Sequence, residues 1–406
     1  MSPQQTFVIV GASLAGAKAA ETLRTEGYDG RVVLIGEETE RPYERPMLSK
    51  EYLRGEEPAA KLYVHGEGFY ADNDIELLTD TRVTSFGPAA HEVALEDGSR
   101  MPYSRLLLST GAIPRRLQLP GADLPGVRYL RQMGDSDGLH AAITAASRVV
   151  VVGAGWIGSE VVASARQLGA EVTIVAPDAV PLARVLGPEI GAVYRDLHAE
   201  HGVDLHLSTQ VEAIVGTVAA QGVRTTDGLV IEGDLVVVGV GASPRDELAR
   251  AAGLTLENGI AVDEFLRTSA DDVFAAGDVA ATWSPMYGQR IRMEHWANAL
   301  NQGQAAARNM LGQHTAYSKL PYFYSDQYDL GMEYNGYATD WDQVVTRGDV
   351  AGREFLAFWL RDGRVLAGMN ANIWDEGDAI KSLVRGGRAV DAKRLADNLV
   401  PLAELT

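Results

Sequence analysis

Twice in this chain a strand-like apolar run ends in a cluster of glycines and opens a small-residue helix, and that repeat leaves little choice of architecture. The first copy runs over Thr6 to Val10, turns through Gly-Ala-Ser-Leu-Ala-Gly at 11–16, continues as an alanine-rich helical stretch to about Gly27 and returns to an apolar run at 32–35. The second opens at Arg148 with a valine run, turns through Gly153-Ala-Gly155-Trp-Ile-Gly158 and returns at 171–175 after a helix to about Gly169. Each reads as a βαβ unit. Two in one chain predict a pair of Rossmann-like nucleotide folds.

The glycines have mechanical reasons. Gly153, Gly155 and Gly158 complete G-x-G-x-x-G directly after a strand, where the tight turn, the approach of a pyrophosphate and the packing of helix on strand each exclude a Cβ. In the first copy Gly11 and Gly16 keep their places but Ser13 stands at the middle one, and lets a phosphate pass only if its side chain turns away. Glycines that merely close βα turns are the plain alternative for either copy alone. Two copies in series, with further strand-end turns at Thr110-Gly111 and Ala275-Ala-Gly277-Asp278, favour nucleotide binding. Glu37 lies roughly 20 positions beyond the first cluster, where a carboxylate accepts from ribose hydroxyls. The equivalent place in the second copy is close to Ala176, with neither a carboxylate nor an adjacent arginine for a 2′-phosphate, so NADH against NADPH stays open.

Composition narrows the chemistry. At 406 residues the chain predicts two or three domains. It contains no cysteine, which removes disulfide exchange, thiolate nucleophiles and cysteine-ligated clusters, so any redox work needs a bound organic cofactor. The eight histidines form no HExxH or closely spaced ligand set, and no metal site is expected. A net charge of −19 repels phosphate backbones and anionic lipid, arguing against nucleic acid and membrane partners. There is no long apolar run and no leader-type segment before Thr6, so a cytoplasmic protein is expected. From about Pro321 the pattern changes to short aromatic alternating runs, a turn at Asp362-Gly363 and a terminal helix from about Asp375, an α+β arrangement.

The quoted clusters, with Arg45-Pro-Met-Leu-Ser-Lys50, Leu108-Ser-Thr-Gly-Ala-Ile-Pro-Arg115, Arg128-Tyr-Leu-Arg131, Gly239-Val-Gly-Ala-Ser-Pro-Arg245, Trp296-Ala-Asn-Ala-Leu and Tyr324-Ser-Asp-Gln-Tyr, resemble the FAD-dependent ferredoxin reductases of bacterial oxygenase systems over essentially the whole chain. The resemblance implies a glutathione-reductase-type α/β fold: a discontinuous FAD domain over 1–112 and 247–321, an NAD(P)H domain over 113–246, and a C-terminal α+β domain over 322–406. It places Ala15, Glu37, Arg45, Lys50, Val83, Arg131, Asp278 and Trp296 on FAD, and Gly155, Ile157, Glu160 and Gly241 along the nicotinamide nucleotide. Lys50 and Glu160 are expected near flavin N5, although as isolated residues they read as a solvated loop lysine and a first-turn helix carboxylate. Asp278 is expected on the ribityl chain rather than as a helix N-cap.

The activity implied is transfer of hydride from NADH, with NADPH left open, onto FAD and of single electrons onward to a two-iron ferredoxin. An acidic ferredoxin would dock on basic residues, with Arg290, Arg292, Lys319, Lys381, Arg385, Arg388, Lys393 and Arg394 as candidates or as ordinary solvated charges. Trp283, Trp341, Trp359 and Trp374 are expected in the core rather than as an electron relay, and a monomer or weak dimer is expected. Reduction of a quinone or ascorbyl radical, or a regulatory flavoprotein like apoptosis-inducing factor, are the competing readings; the missing cysteine excludes a disulfide reductase.

Overall fold

The first apolar run, Thr6–Val10, is buried from Phe7 onward and pairs in parallel with Arg31–Ile35 on one side and Arg105–Leu108 on the other. Such continuous apolar strands suit a parallel sheet covered on both faces. The computed structural model describes residues 5–405. It divides the chain into two units: the described parts of Met1–Arg45, Ala59–Ile113 and Ala242–Lys319, and those of Pro46–Pro58, Pro114–Gly241 and Leu320–Thr406.

In the first unit the parallel sheet has the order Val273–Ala275, Arg105–Leu108, Thr6–Val10, Arg31–Ile35, Ile75–Leu78. The chain builds outward from Thr6–Val10 in one direction and later in the other, so the order reverses between Thr6–Val10 and Arg105–Leu108. Ligands of open α/β sheets bind beyond the carboxyl ends of the strands at such a reversal. Gly11 and Ser109 stand there, and Gly11 has φ 118°, with a Cβ on it overlapping the Ser109 carbonyl oxygen. Behind the sheet, helix Leu14–Thr25 crosses helix Trp296–Met310 through alanines, with Gly303 against the Ala15 carbonyl. That crossing brings Trp296's helix back to the first glycine cluster.

The second unit repeats the device. Its parallel sheet has the order Asp204–His206, Glu171–Val175, Arg148–Val152, Leu235–Val238, Val127–Arg128, and reverses between Arg148–Val152 and Leu235–Val238. Gly153 (φ 104°) stands at that reversal, where a Cβ would overlap the Gly239 carbonyl oxygen.

The same unit holds an antiparallel sheet with the order Tyr322–Gln327, Leu330–Gly336, Arg364–Ala371, Glu354–Arg361, Gln343–Asp349. Period-2 alternation gives it two buried faces. One carries Met332, Tyr334, Ala357, Trp359 and Met369 against Leu186, Ile190, Tyr194 and Leu197 of helix Ala183–Glu200. The other carries Leu356, Phe358 and Leu360 against Ile380, Leu383 and Val384 of helix Gly377–Gly386. Among the described residues no helix is long and apolar enough to cross a membrane.

The tryptophans divide. Trp359 is fully buried and its indole N–H donates to the Leu186 carbonyl at 3.1 Å, while Trp341 packs against Gly187, where helix Ala183–Glu200 kinks. Trp283 and Trp374 are 38% and 57% exposed, contrary to the expectation that both are core. Trp283 lies outside on a hairpin strand paired to Arg290, and Trp374 lies over Gly331, which has no side chain to meet it. Replacing Trp359 with alanine opens a core cavity and leaves the Leu186 carbonyl without its donor. The expected cost is about 3–5 kcal/mol, read as a lower urea midpoint by far-ultraviolet circular dichroism.

Candidate functional site

In the first unit, helix Leu14–Thr25 begins at Ser13, which has extended backbone and makes no side-chain capping bond, and no acidic residue occupies its first turn. The leading N–H groups of a helix lack intrahelical partners and carry its positive end. Left without a cap or a nearby carboxylate, this terminus is suited to a pyrophosphate. Ala15 and Gly16 are buried in its first turn.

The same unit holds most of the other residues predicted for the first nucleotide. Thr110 donates its hydroxyl to the Arg245 carbonyl at 2.7 Å, and Gly111 accepts from the Arg245 backbone N–H at 3.0 Å. Glu37 is clasped by both terminal nitrogens of Arg245, which hold its carboxyl below the usual range. Arg45 donates to Glu38 at 2.7 Å and to the Tyr43 hydroxyl at 3.1 Å. Val83 is buried at the start of strand Val83–Gly87. The Gly277 N–H donates to Gln302 Oε1 at 2.9 Å, and Gln302 in turn donates to Thr282 Oγ1 at 2.9 Å. Asp278 lies inside the short turn Gly277–Val279, whose N-cap is Ala276, so it is not a helix N-cap. The Trp296 indole nitrogen is buried and has no hydrogen-bond partner among the described residues. A buried donor without a partner, an uncapped helix terminus and a glycine cradle together fit a dinucleotide such as FAD.

The second unit presents the other set. Helix Trp156–Gln167 starts at Gly155 in extended conformation, without a capping bond or a first-turn acid, and the space a Gly155 Cβ would take is open. A Cβ on Gly158 would overlap the Gly153 carbonyl, Ile157 is 44% exposed, and Gly241 accepts from the Arg115 N–H at 2.9 Å. Ala176 is buried beyond strand Glu171–Val175, and Asp178 pairs with Arg184 at 3.5 Å. Arg131 belongs to this unit, its N–H donating to the Asp135 carboxylate at 2.9 Å.

Lys50 and Glu160 are brought together here. Lys50 Nζ is 3.2 Å from Glu160 Oε1, and the two side chains are only 5% and 7% exposed. Neither plain reading survives: Lys50 is not solvated, and Glu160 lies one turn into its helix, facing inward. The Ser49 hydroxyl donates to Glu160 Oε2 at 2.5 Å and the Ser325 hydroxyl to Oε1 at 2.7 Å. Lys50 Nζ also stands 5.5 Å from the Tyr324 ring centroid. Sequence reasoning missed both serines, although each adjoins a residue singled out, Lys50 and Tyr324; for Gln302 there was no signal.

The proposed docking cations differ in freedom. Arg290 pairs with Glu257 and the Val262 carbonyl, and Arg292 with Glu294 and the Asp278 carbonyl. Lys381 pairs with Asp378 at 3.1 Å. Arg385, Arg388 and Lys393 are exposed, as is Lys319 in the first unit, and exposed Arg394 stands 4.0 Å from Glu404.

A family model described as pyridine nucleotide-disulphide oxidoreductase matches residues 5–303, and one described as reductase C-terminal matches 322–406. The ferredoxin reductase subunit of the 5,5'-dehydrodivanillate O-demethylase of Sphingobium sp. is 40% identical over 100% of this chain and 99% of its own. The ferredoxin–NAD(+) reductase component of the anthranilate 1,2-dioxygenase system of Burkholderia cepacia is 39% identical, over 98% of each chain. Among solved structures, the reductase in a covalent putidaredoxin reductase–putidaredoxin complex superposes with a TM-score of 0.95 at 36% identity, covering 99% of this chain and 98% of that one.

Acid should loosen both units. Burial pushes His198 and His295 down from 6.5 to about 4 in the folded chain. The unfolded chain therefore binds more protons between those values. The contribution is fully present above about 6.5 and is lost as pH falls towards 4. Urea midpoints taken between pH 7 and pH 4 should fall over that window, and a His198→Gln variant should show a shallower fall.

Proposed function

The chain belongs to the pyridine nucleotide-disulphide oxidoreductase family, and on that premise we propose that it is an FAD-dependent NAD(P)H:ferredoxin oxidoreductase serving an oxygenase. With no cysteine, it belongs to the branch that does no disulfide chemistry. The observation that carries the reading is the buried Lys50–Glu160 pair, a charge arrangement expensive to keep away from water without a use.

When bound, FAD accepts two electrons from a reduced nicotinamide and gives them up singly. The first unit would hold it: Gly11, Ser13, Ala15 and Gly16 at the pyrophosphate, Glu37 at a ribose with Arg245 as its counter-ion, and Thr110, Gly111, Gly277 and Asp278 along the ribityl chain. We assign Arg45, Val83, Arg131 and Trp296 to the same cofactor. Gly153, Gly155, Ile157, Gly158 and Gly241 would hold the nicotinamide nucleotide. NADH is the coenzyme we propose, because the Asp178 carboxylate, 3.5 Å from Arg184, would repel a 2′-phosphate brought to that arginine.

Lys50 would set a fixed positive charge beside the isoalloxazine, which takes on negative charge on reduction. Glu160 would hold that ammonium in place, oriented itself by Ser49 and Ser325. For function we retain three domains: FAD over 1–112 with 247–321, NAD(P)H over 113–246, and the C-terminal domain over 322–406. The partner is an acidic two-iron ferredoxin, with exposed Arg385 and Arg388 as the first docking cations to test. We place the reductase in the cytoplasm, as a monomer or weak dimer.

Cytochrome c reduction by the purified yellow protein should be fast with NADH only when a two-iron ferredoxin is present, and slower with NADPH. Acceleration by quinones or ascorbyl radical, with none by any ferredoxin, would retain the flavin assignment and sink the partner.

A further inference from the structure

A row of buried polar side chains leads away from Glu160 through an otherwise apolar core, and beyond Ser325 the reductase reading gives it no role. Ser325, Gln327 and His198 are each 1% exposed or less. They lie among Tyr194, Leu197, Phe323 and Leu330, where a polar group without a partner is costly. We propose that His198 and Gln327 are positioning residues for Glu160, acting through Ser325 in a chain of hydrogen bonds whose donors all point towards that carboxylate. The inference rests on the role given to Glu160 above.

The direction of the chain follows from counting protons. Ser325 has one hydroxyl hydrogen and gives it to Glu160 Oε1 at 2.7 Å. It can then only accept from Gln327, which fixes the amide with Nε2 towards Ser325, at 3.4 Å. The amide oxygen is left for the neighbouring His198 ring, whose protonated form the Gln327 side chain favours. Gln327 Oε1 and His198 Nε2 are both buried, and neither has a hydrogen-bond partner among the described residues, each other included, so the proposed chain pairs them with one another. An amide oxygen only accepts, so the imidazole must present Nε2–H.

Its Nδ1 is then an acceptor, and the Tyr328 hydroxyl stands 3.5 Å from it. Burial, which pushes His198 down to about 4, keeps the ring neutral and this arrangement intact at neutral pH. Tyr328 is held in turn by stacking on the His201 ring, with centroids 3.6 Å apart and planes at 12°. Tyr328, His198, Gln327 and Ser325 thus each donate towards the next. Such a row favours a charged, oriented carboxylate at its end and so keeps the Lys50 ammonium in place.

The tautomer of His198 can be read in the unaltered protein. Nitrogen-15 NMR of the FAD-loaded protein at pH 7, with His198 assigned by its loss in His198→Gln, should show a neutral ring protonated at Nε2; protonation at Nδ1 reverses the chain and overturns the proposal. The kinetic arm uses Gln327→Leu, which should slow flavin bleaching by NADH about tenfold or more with little change in nucleotide affinity. In a Ser325→Ala background the same substitution should add nothing, because the link it acts through is gone. A full Gln327→Leu effect in that background also overturns the proposal. If NADH fails to bleach the flavin of the unaltered protein, the reductase reading fails, and the tautomer still decides the chain.

Discussion

Glu160 keeps its carboxylate in the core of the second unit, and much of that unit is arranged around the cost. Removing an ion from water costs several kcal/mol after relaxation, and only well-placed partners repay it. Its partners come from different stretches of chain: Ser49 and Lys50 from Pro46–Pro58, and Ser325 from the C-terminal sheet. The short stretch is fastened independently, with Ser164 donating to the Ser49 carbonyl at 2.7 Å, Ser136 to the Leu48 carbonyl at 2.8 Å, and His140 Nδ1 2.7 Å from the Leu53 carbonyl. These bonds explain why residues 46–58 join the central nucleotide fold although they follow directly on the first.

The two nucleotide folds reach the same geometry with different residues. Each sheet reverses its strand order beside a positive-φ glycine pressed on a neighbouring carbonyl, of Ser109 in one and Gly239 in the other. Each following helix begins uncapped and without a first-turn acid. Exposed helix donors and room for the chain to pass a phosphate are what a dinucleotide needs, and neither requires a reactive side chain. A chain without cysteine can therefore move electrons while forming no covalent bond to its substrate.

What could be read from the sequence was local. Period and glycine spacing located both βαβ units within a residue or two, since Leu14–Thr25 and Trp156–Gln167 follow the glycines where the fingerprint puts them. The Lys50–Glu160 pair was reached only through family resemblance, because nothing in the local pattern of either residue points to the other. Ser49, Ser325, Gln302 and the Arg245 clasp on Glu37 escaped for the same reason: each is a long-range pairing whose partner is set by tertiary packing. Trp283 and Trp374 were misjudged because a large apolar side chain is usually interior; one lies on an outer hairpin and the other covers a glycine.

The central claim is that the Lys50–Glu160 pair serves reduction of the flavin by the nicotinamide. Its most direct test is anaerobic stopped-flow mixing of NADH with the FAD-loaded protein and with a Lys50→Met/Glu160→Gln variant, which removes both charges and leaves no bare ion in the core. The account predicts flavin bleaching slower by about two orders of magnitude at saturating NADH, with FAD retained and nucleotide affinity little changed. Bleaching at the unaltered rate would contradict it.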